Sequence, residues 1–234
     1  MPYKPVLAVV IPVYNEEQRL PLLLNDWRPV FKATGVPYKL ILIDDGSKDN
    51  SLGMLRKLAA DDPSLEVHTQ PNAGHGPAIL KGYRLAAAEA DWVFQIDSDH
   101  QLETGAFPQL WAQKDGYHLL LGQRREKNAS QGRRWISRLS KWSVRWFFGP
   151  AVRDVNSPYR LMRSEWLRPA LEKIPANSFA PNVLITSWFI RKKHRIFVTP
   201  VEARKVDVRS SRMSRYFFIG ALRSFQQLIL FRIK

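Results

Sequence analysis

The 234-residue chain contains no cysteine. That absence excludes disulfide scaffolds, thiolate metal sites and cysteine nucleophiles, and it permits a reducing compartment. Long apolar runs are missing too. The stretch Leu7–Val13 is closed at once by Tyr14, Asn15, Glu16 and Glu17. It is too short for a secretory signal peptide and has no small-residue cleavage site. Nothing approaches the roughly 18 to 20 apolar residues needed to span a bilayer, so neither a signal peptide nor a transmembrane span is expected. Two nucleotide fingerprints are also lacking. There is no G-x-G-x-x-G after the first apolar run and no G-x-x-x-x-G-K-[ST] anywhere, which argues against a dinucleotide oxidoreductase and a P-loop NTPase.

Acidic residues are scarce in the second half. Residues 123–234 hold 25 basic and 6 acidic side chains, net +19, whereas residues 1–122 hold 11 and 15, net −4. The whole chain carries +15, which invites a nucleic-acid-binding reading. Its concentration in one half argues for two regions with different tasks. With 45% hydrophobic and 24% charged residues, the chain is long and apolar enough to bury a substantial core.

Strand and helix signals alternate through the first half. Leu7–Val13 reads as a parallel strand buried on both faces. Leu20, Leu23, Leu24, Trp27, Val30 and Phe31 recur at helical spacing. Further strands are expected at Lys39–Ile43, Leu65–His68, Trp92–Ile96 and His118–Leu121. Further helices are expected after Ser47 or Asp49 as a cap, from Pro77 to Ala90, and at Phe107–Trp111. This order predicts an α/β doubly wound, mostly parallel sheet, in which ligands bind outside the carboxyl ends of the strands. Each of the five strands stops in a polar or Gly-rich motif: Pro12 to Glu16, Asp44-Asp45, Asn72 to Pro77, Asp97-Ser98-Asp99 and Gly122-Gln123-Arg124. Together they outline a site on one sheet edge.

Asp97 and Asp99 carry the sharpest signal. Carboxylates two apart at a strand end both face an entering ligand once the backbone turns, and oxygen donors suit Mg²⁺ or Mn²⁺. A lone D-x-D is also a common turn. Asp44-Asp45 after the second strand suits a ribose or base edge; a type I turn across Asp45-Gly46 with Asp49 as a helix cap is the plainer account.

Taken together, V-V-I-P-V-Y-N-E-E (9–17), I-L-I-D-D-G-S-K-D (41–49), N-A-G-H-G-P-A (72–78), Q-I-D-S-D-H-Q (95–101), G-Q-R (122–124) and D-V-N-S-P-Y-R-L-M-R (154–163) resemble family 2 of the glycosyltransferases. Within it they most resemble the polyprenyl-phosphate branch, of the dolichyl-phosphate mannose synthase type. The resemblance covers about the first 165 residues. It implies a GT-A nucleotide-sugar fold and an inverting, metal-dependent transfer from a UDP- or GDP-sugar to a lipid phosphate. It places Pro12, Tyr14 and Glu16 around the base and ribose, with Asp44 or Asp45, Gly74 and Ser98 beside them. Asp97, Asp99 and Gln101 would hold the Mg²⁺ or Mn²⁺, and Arg124 would contact phosphate. Two positions depart from the family pattern: Gln123 replaces a usual Ser, and Asn182 stands about where a Glu is frequent.

The basic half fits the acceptor side of such a reaction. Trp135, Leu139, Trp142 and Trp146 fall on one face of a helix, flanked by Arg134, Arg138, Lys141 and Arg145. A tryptophan face beside a cationic face suits a lipid interface; packing into the core is the alternative. A phosphate acceptor is already anionic and needs no general base, only cations to hold it, which Arg124, Arg125, Arg133 and Arg134 supply. A hydroxyl acceptor would need a base, for which Asp154 is the candidate; with a lipid phosphate, Asp154 would instead orient an arginine or the acceptor loop. The expected organisation is a catalytic domain over residues 1–213, with 125–150 as acceptor loop and amphipathic helix. An amphipathic juxtamembrane helix over 214–234 would lie on an anionic membrane, or dock on a second copy or a membrane protein. The expected place of work is peripheral, on the cytoplasmic face of a membrane, with no nucleic-acid partner.

Overall fold

A computed structural model describes residues 5–124 and 154–204. The strand β1 (Leu7–Val13) is buried at every position. Leu7, Val9, Ile11 and Val13 pack into one apolar cluster and Ala8 and Val10 into another. The unbroken apolar run is therefore a strand covered on both faces. Parallel to it lie β2 (Tyr38–Asp44) on one flank and β4 (Trp92–Gln95) on the other, with β3 (Leu65–Thr69) beyond β2.

The remaining strands are β5 (Leu119–Arg124), β6 (Arg160–Arg163) and β7 (Ile196–Val201), and the sheet order is β3-β2-β1-β4-β6-β5-β7. β6 runs antiparallel to both β4 and β5, and β7 runs parallel to β5. β5 and β7 therefore point the same way as β1–β4, and the carboxyl ends of all these strands share one edge. The sheet is thus mixed but mostly parallel. β6 enters between β4 and β5 from a segment that follows both in sequence.

Helices cover both faces. On one side α1 (Leu20–Lys32), α2 (Ser51–Asp61) and α4 (Phe107–Gln113) bury Leu20, Leu23, Trp27, Phe31, Leu55, Phe107 and Leu110 against the sheet. Trp27, Phe31, Phe94 and Phe107 form a ring cluster there, with Phe94 and Phe107 edge-on at 4.7 Å. On the other side stand α3 (His75–Glu89), α5 (Ser164–Lys173) and α6 (Pro181–Arg191). α3 lies close enough to the sheet that a methyl on Gly82 would stand 2.4 Å from the Val10 side chain.

Two local expectations shift. α3 starts at His75, ahead of Pro77, because Gly74 takes φ +96 and turns the chain into the helix. The residue before α2 is Asn50, which makes no side-chain cap bond. Asp49 instead accepts the N–H of Ser51 at 3.0 Å and that of Glu17 at 3.2 Å, tying α2 to the loop after β1. The expected helices over 125–150 and 214–234 lie outside the described residues. Among those described, no helix is long and apolar enough to cross a membrane.

Candidate functional site

The loops after β1 and β2 are laced together by side chain to backbone hydrogen bonds. Asn15 N–H donates to Ser47 Oγ (3.0 Å), Lys48 N–H to Asn15 Oδ1 (2.7 Å) and Glu16 N–H to Ser51 Oγ (2.9 Å). Asn15 pays no large strain at φ +55, since asparagine tolerates the left-handed region. This lacing fixes Tyr14 and Glu16 at the mouth of a cleft.

The Asp44-Asp45 pair divides its work. Asp44 is fully buried; its Oδ1 accepts Ser47 N–H (3.2 Å) and its Oδ2 accepts Thr69 Oγ1–H (2.9 Å). It ties β2 to β3 and does not line the cleft. Asp45 does line it. Its Oδ1 accepts Gln70 Nε2–H and Ala73 N–H, and its Oδ2 accepts Gly74 N–H, all at 2.8–2.9 Å. Asp45 thereby shapes the loop that leads into α3. The first turn of α3, with no side-chain cap, opens onto the same space. N–H groups in the first turn of a helix have no intrahelical partner, which makes such an end favourable to an anion.

These residues enclose a cleft of about 400 Å³ lined by Pro12, Val13, Tyr14, Glu16, Asp45, Asn72, Gly74, His75, Ala78, Asp97, Ser98 and Asp99. Burial pushes the Asp97 carboxyl above the usual carboxylate range, and the charge of Asp99 adds to that. His75, Arg124 and Arg160 pull the other way. Asp97 Oδ1 accepts Gln95 Nε2–H at 2.9 Å and lies 3.5 Å from His75 Nε2. Burial also raises Glu16, opposed by its Arg19 partner and assisted by Asp99 and Asp49. Asp99 accepts Gln101 N–H at 3.2 Å. The Gln101 side chain is exposed and is not part of the cleft lining. His100 is turned away, bonded to Asp26 of α1 at 2.9 Å.

A second cleft, about 710 Å³, adjoins the first and shares Gly74, His75 and Asp97 with it. Its other walls come from Arg124 at the end of β5, Asn156 and Pro158 before β6, and Asn177 and Phe179 to Asn182 at the start of α6. Gly76 lets these walls meet, since a Cβ there would stand 2.1 Å from the Ser178 carbonyl oxygen and 2.6 Å from that of Phe179. Arg124 is clamped by Asp154 through Nε to Oδ2 (2.8 Å) and Nη2 to Oδ1 (3.3 Å), a bidentate pair. Burial works against the Arg124 charge, but Asp154, Asp97 and Asp99 outweigh it and hold the guanidinium charged.

The structure thus brings Pro12, Tyr14, Glu16, Asp45, Gly74, Asp97, Ser98 and Asp99 into one cleft and places Arg124 in its neighbour. Asp154 reaches the second cleft through Arg124, and Asp44 and Gln101 stand outside both linings. Arg125, Arg133, Arg134, Trp135, Arg138, Trp142 and Trp146 lie outside the described residues. The motif reading placed Asn72 to Pro77 at the site edge but gave Asn72 and His75 no role there, and it gave none to the wall formed by Asn156, Asn177 and Phe179. Pro181 was a usable signal for that wall, because proline at the first helical position marks a helix start.

Comparison with known proteins bears on this geometry. The chain matches Glycosyl transferase family 2 over residues 8–180. It is 32% identical over 210 residues to the undecaprenyl-phosphate 4-deoxy-4-formamido-L-arabinose transferase of Pseudomonas fluorescens (strain SBW25), covering 88% of this chain and 60% of that protein. The protein of the same name from Proteus mirabilis (strain HI4320) is 30% identical over 226 residues, covering 95% and 66%. The chain therefore spans about 60% of the length of the first curated relatives it matches. Among solved structures, glucosyl-3-phosphoglycerate synthase from Mycobacterium tuberculosis, in complex with Mn²⁺, UDP and glucosyl-3-phosphoglycerate, superposes with a TM-score of 0.66 at 20% identity, covering 97% of this chain and 80% of that one. S. aureus TarS 1–349 in complex with UDP-GlcNAc gives 0.60 at 19% identity, covering 96% and 71%. At that identity the likeness is one of fold, the GT-A architecture.

Proposed function

The chain belongs to glycosyltransferase family 2, and on that premise we propose that it transfers a sugar, with inversion, from a nucleotide-diphosphate sugar to a polyprenyl phosphate at a membrane surface. One observation carries the reading: two clefts, one acidic and the other edged by a clamped arginine, meet at Asp97. The first suits the nucleotide, with Pro12, Tyr14, Glu16 and Asp45 around its base and ribose. The start of α3 suits its diphosphate. The second cleft suits the sugar and the incoming phosphate. The names of the curated relatives support an undecaprenyl-phosphate type of acceptor, and the fold neighbours with bound UDP support a uridine nucleotide over a guanosine one.

The donor set fits a divalent cation of the Mg²⁺ or Mn²⁺ type. Asp97 and Asp99 offer hard oxygen ligands, and burial of Asp97 beside a second carboxylate is a conflict that a cation relieves. Among the described residues no group of three His, Asp or Glu gathers to hold a metal, so the donor diphosphate would supply further oxygens. When bound, the cation neutralises charge that builds on the leaving diphosphate.

The chain's own residues account for the rest. The acceptor phosphate oxygen attacks the anomeric carbon from the second cleft. The bond from that carbon to the diphosphate oxygen breaks, and the diphosphate leaves with the electron pair toward the start of α3. Arg124, held in orientation by Asp154, meets the acceptor phosphate. Because that phosphate is anionic at neutral pH, no base has to remove a proton. Engagement of both Asp154 oxygens by Arg124 favours this orienting task over a general-base task. The cationic, Trp-rich sequence at 125–146, with Arg125, Arg133, Arg134, Trp135, Arg138, Trp142 and Trp146, would bind headgroups on the cytoplasmic face.

The test is a transfer assay with a panel of UDP- and GDP-sugars, undecaprenyl phosphate as acceptor, and Mg²⁺ or Mn²⁺. Product is expected with the lipid phosphate and a uridine donor, and none after chelation. Transfer to free saccharide hydroxyls with none to the lipid phosphate would overturn the acceptor assignment.

A further inference from the structure

Behind Asp97 lies a buried polar group that the transfer reaction does not itself require. Gln95 sits at the end of β4 among Trp92, Val93 and Phe94 and is fully enclosed. An amide in such a place is costly unless each of its groups is bonded. Gln95 Oε1 accepts Asn182 Nδ2–H at 3.0 Å and lies 3.0 Å from the Tyr83 hydroxyl; Gln95 Nε2 donates to Asp97 Oδ1 at 2.9 Å. The Tyr83 hydroxyl also lies 2.8 Å from Asn182 Oδ1. It has one proton to share between the two amides, and burial holds its phenol far above the usual range, so it remains a donor. Asn182 is itself 2% exposed. Its backbone carbonyl accepts Arg160 Nη1–H at 3.1 Å, which anchors the start of α6.

We infer that Gln95 and Asn182, steadied by Tyr83, are positioning residues that orient the Asp97 carboxylate through an amide relay. Tyr83 of α3 and Asn182 of α6 converge on the Gln95 amide oxygen, and Gln95 of β4 alone reaches the carboxylate oxygen. The relay has a direction. Asn182 Nδ2 turns the Gln95 oxygen toward itself, so the Gln95 nitrogen must face Asp97. Amides at 95 and 182 therefore belong together. A carboxylate at 182 would have no N–H for Gln95 Oε1. Because Asn182 also lines the second cleft, the relay links the wall of that cleft to the carboxylate of the first.

The inference rests on the donor reading for what Asp97 binds, and its test separates the two. In the ligand-free protein, the side-chain amide protons of Gln95, followed by ¹⁵N NMR, are expected to exchange slowly. They are expected to exchange about tenfold faster in Asn182→Leu and in Asp97→Ala, as a lost hydrogen bond implies. Unchanged exchange in both variants would overturn the relay, whatever the protein binds. The second arm measures UDP affinity in the presence of Mn²⁺ by titration calorimetry. Gln95→Leu and Asn182→Leu are each expected to weaken it about tenfold, in the range of lost outer-shell contacts. Asn182→Asp, which keeps an acceptor for Tyr83 but loses the donor to Gln95, is expected to weaken it similarly. In an Asp97→Asn background the same substitutions should add no more than about twofold, because a residue acting through Asp97 has nothing left to orient. Equal losses in both backgrounds would mark a merely structural role and overturn the relay. If Gln95→Leu does not fold, the Asn182 variants carry the test with Gln95 in place. Failure of the unaltered protein to bind UDP with Mn²⁺ would overturn the donor reading, leaving the exchange result to decide the relay.

Discussion

The two clefts are built by different means. The first is assembled from loops that directly follow β1 to β4, laced by hydrogen bonds such as Asn15 N–H to Ser47 Oγ and Gly74 N–H to Asp45 Oδ2. The second is closed by segments far apart in the chain: Ala73 to Pro77, Arg124, Asn156 and Pro158, and Asn177 to Asn182. Charge follows the same division. The first cleft concentrates carboxylates, and burial raises Asp97 and Glu16. The second holds its arginine charged through a carboxylate clamp. The transfer proposed above would bring two polyanions together, one held through a cation and the other through fixed side chains.

The largest expected effect lies in the first cleft. Asp99→Ala should reduce turnover with any donor by about 10³-fold or more, since it removes half of the paired carboxylates; full activity in the transfer assay would end the metal assignment. The comparison sharpens at Arg124. Arg124→Ala should raise KM for the lipid phosphate by about 10- to 100-fold, the range for a lost charge-assisted hydrogen bond, with UDP affinity unchanged. Asp154→Asn should cost about tenfold by loosening Arg124. A loss near 10⁴-fold confined to kcat would instead assign Asp154 as a base and the acceptor as a hydroxyl.

Gly76→Ala tests the seam. The added methyl collides with backbone carbonyls that cannot swing aside, so thermal denaturation should show a loss of about 1–3 kcal/mol. The smallest effect lies away from both clefts, where His118 and His194 face each other Nδ1 to Nδ1 at 3.2 Å beside Trp166. Burial lowers both below the usual histidine value. Arg195 and Arg163 add to the effect at His118, opposed by Glu165, and His118 and Lys192 add to it at His194. The unfolded chain therefore binds these protons first. Stability is fully present above about pH 6.5 and is lost as pH falls through the lowered values. Melting curves from pH 7.5 to 5 should show the fall, and His118→Gln should flatten it.

Much of the first cleft was legible because its information is local. An apolar run buried on two faces names a strand, and polar residues at the ends of parallel strands name an edge. Asp97 and Asp99 could be picked on that basis; Tyr14 and Glu16 came from the resemblance to the family. The division within Asp44-Asp45 was not legible: adjacent side chains at a strand end point to opposite faces, and Thr69 on β3 bonds Asp44 while the loop into α3 takes Asp45. Nor was the packing of Asn177 to Asn182 beside the loop after β3, since β6 enters the sheet from beyond β5 and carries α5 and α6 with it.

The sequence by itself determined the alternation of strands and helices, the acidic edge, the partition of charge and the family pattern, because periodicity and strand-end chemistry are properties of neighbouring residues. Only the tertiary structure decided that Asp45 and not Asp44 lines the first cleft. It alone showed that Asp154 engages Arg124 across 30 residues, and that Asn182 reaches Asp97 through Gln95. Those outcomes depend on which distant segments pack side by side, and a buried polar group must take its partner from whatever the fold brings within about 3 Å.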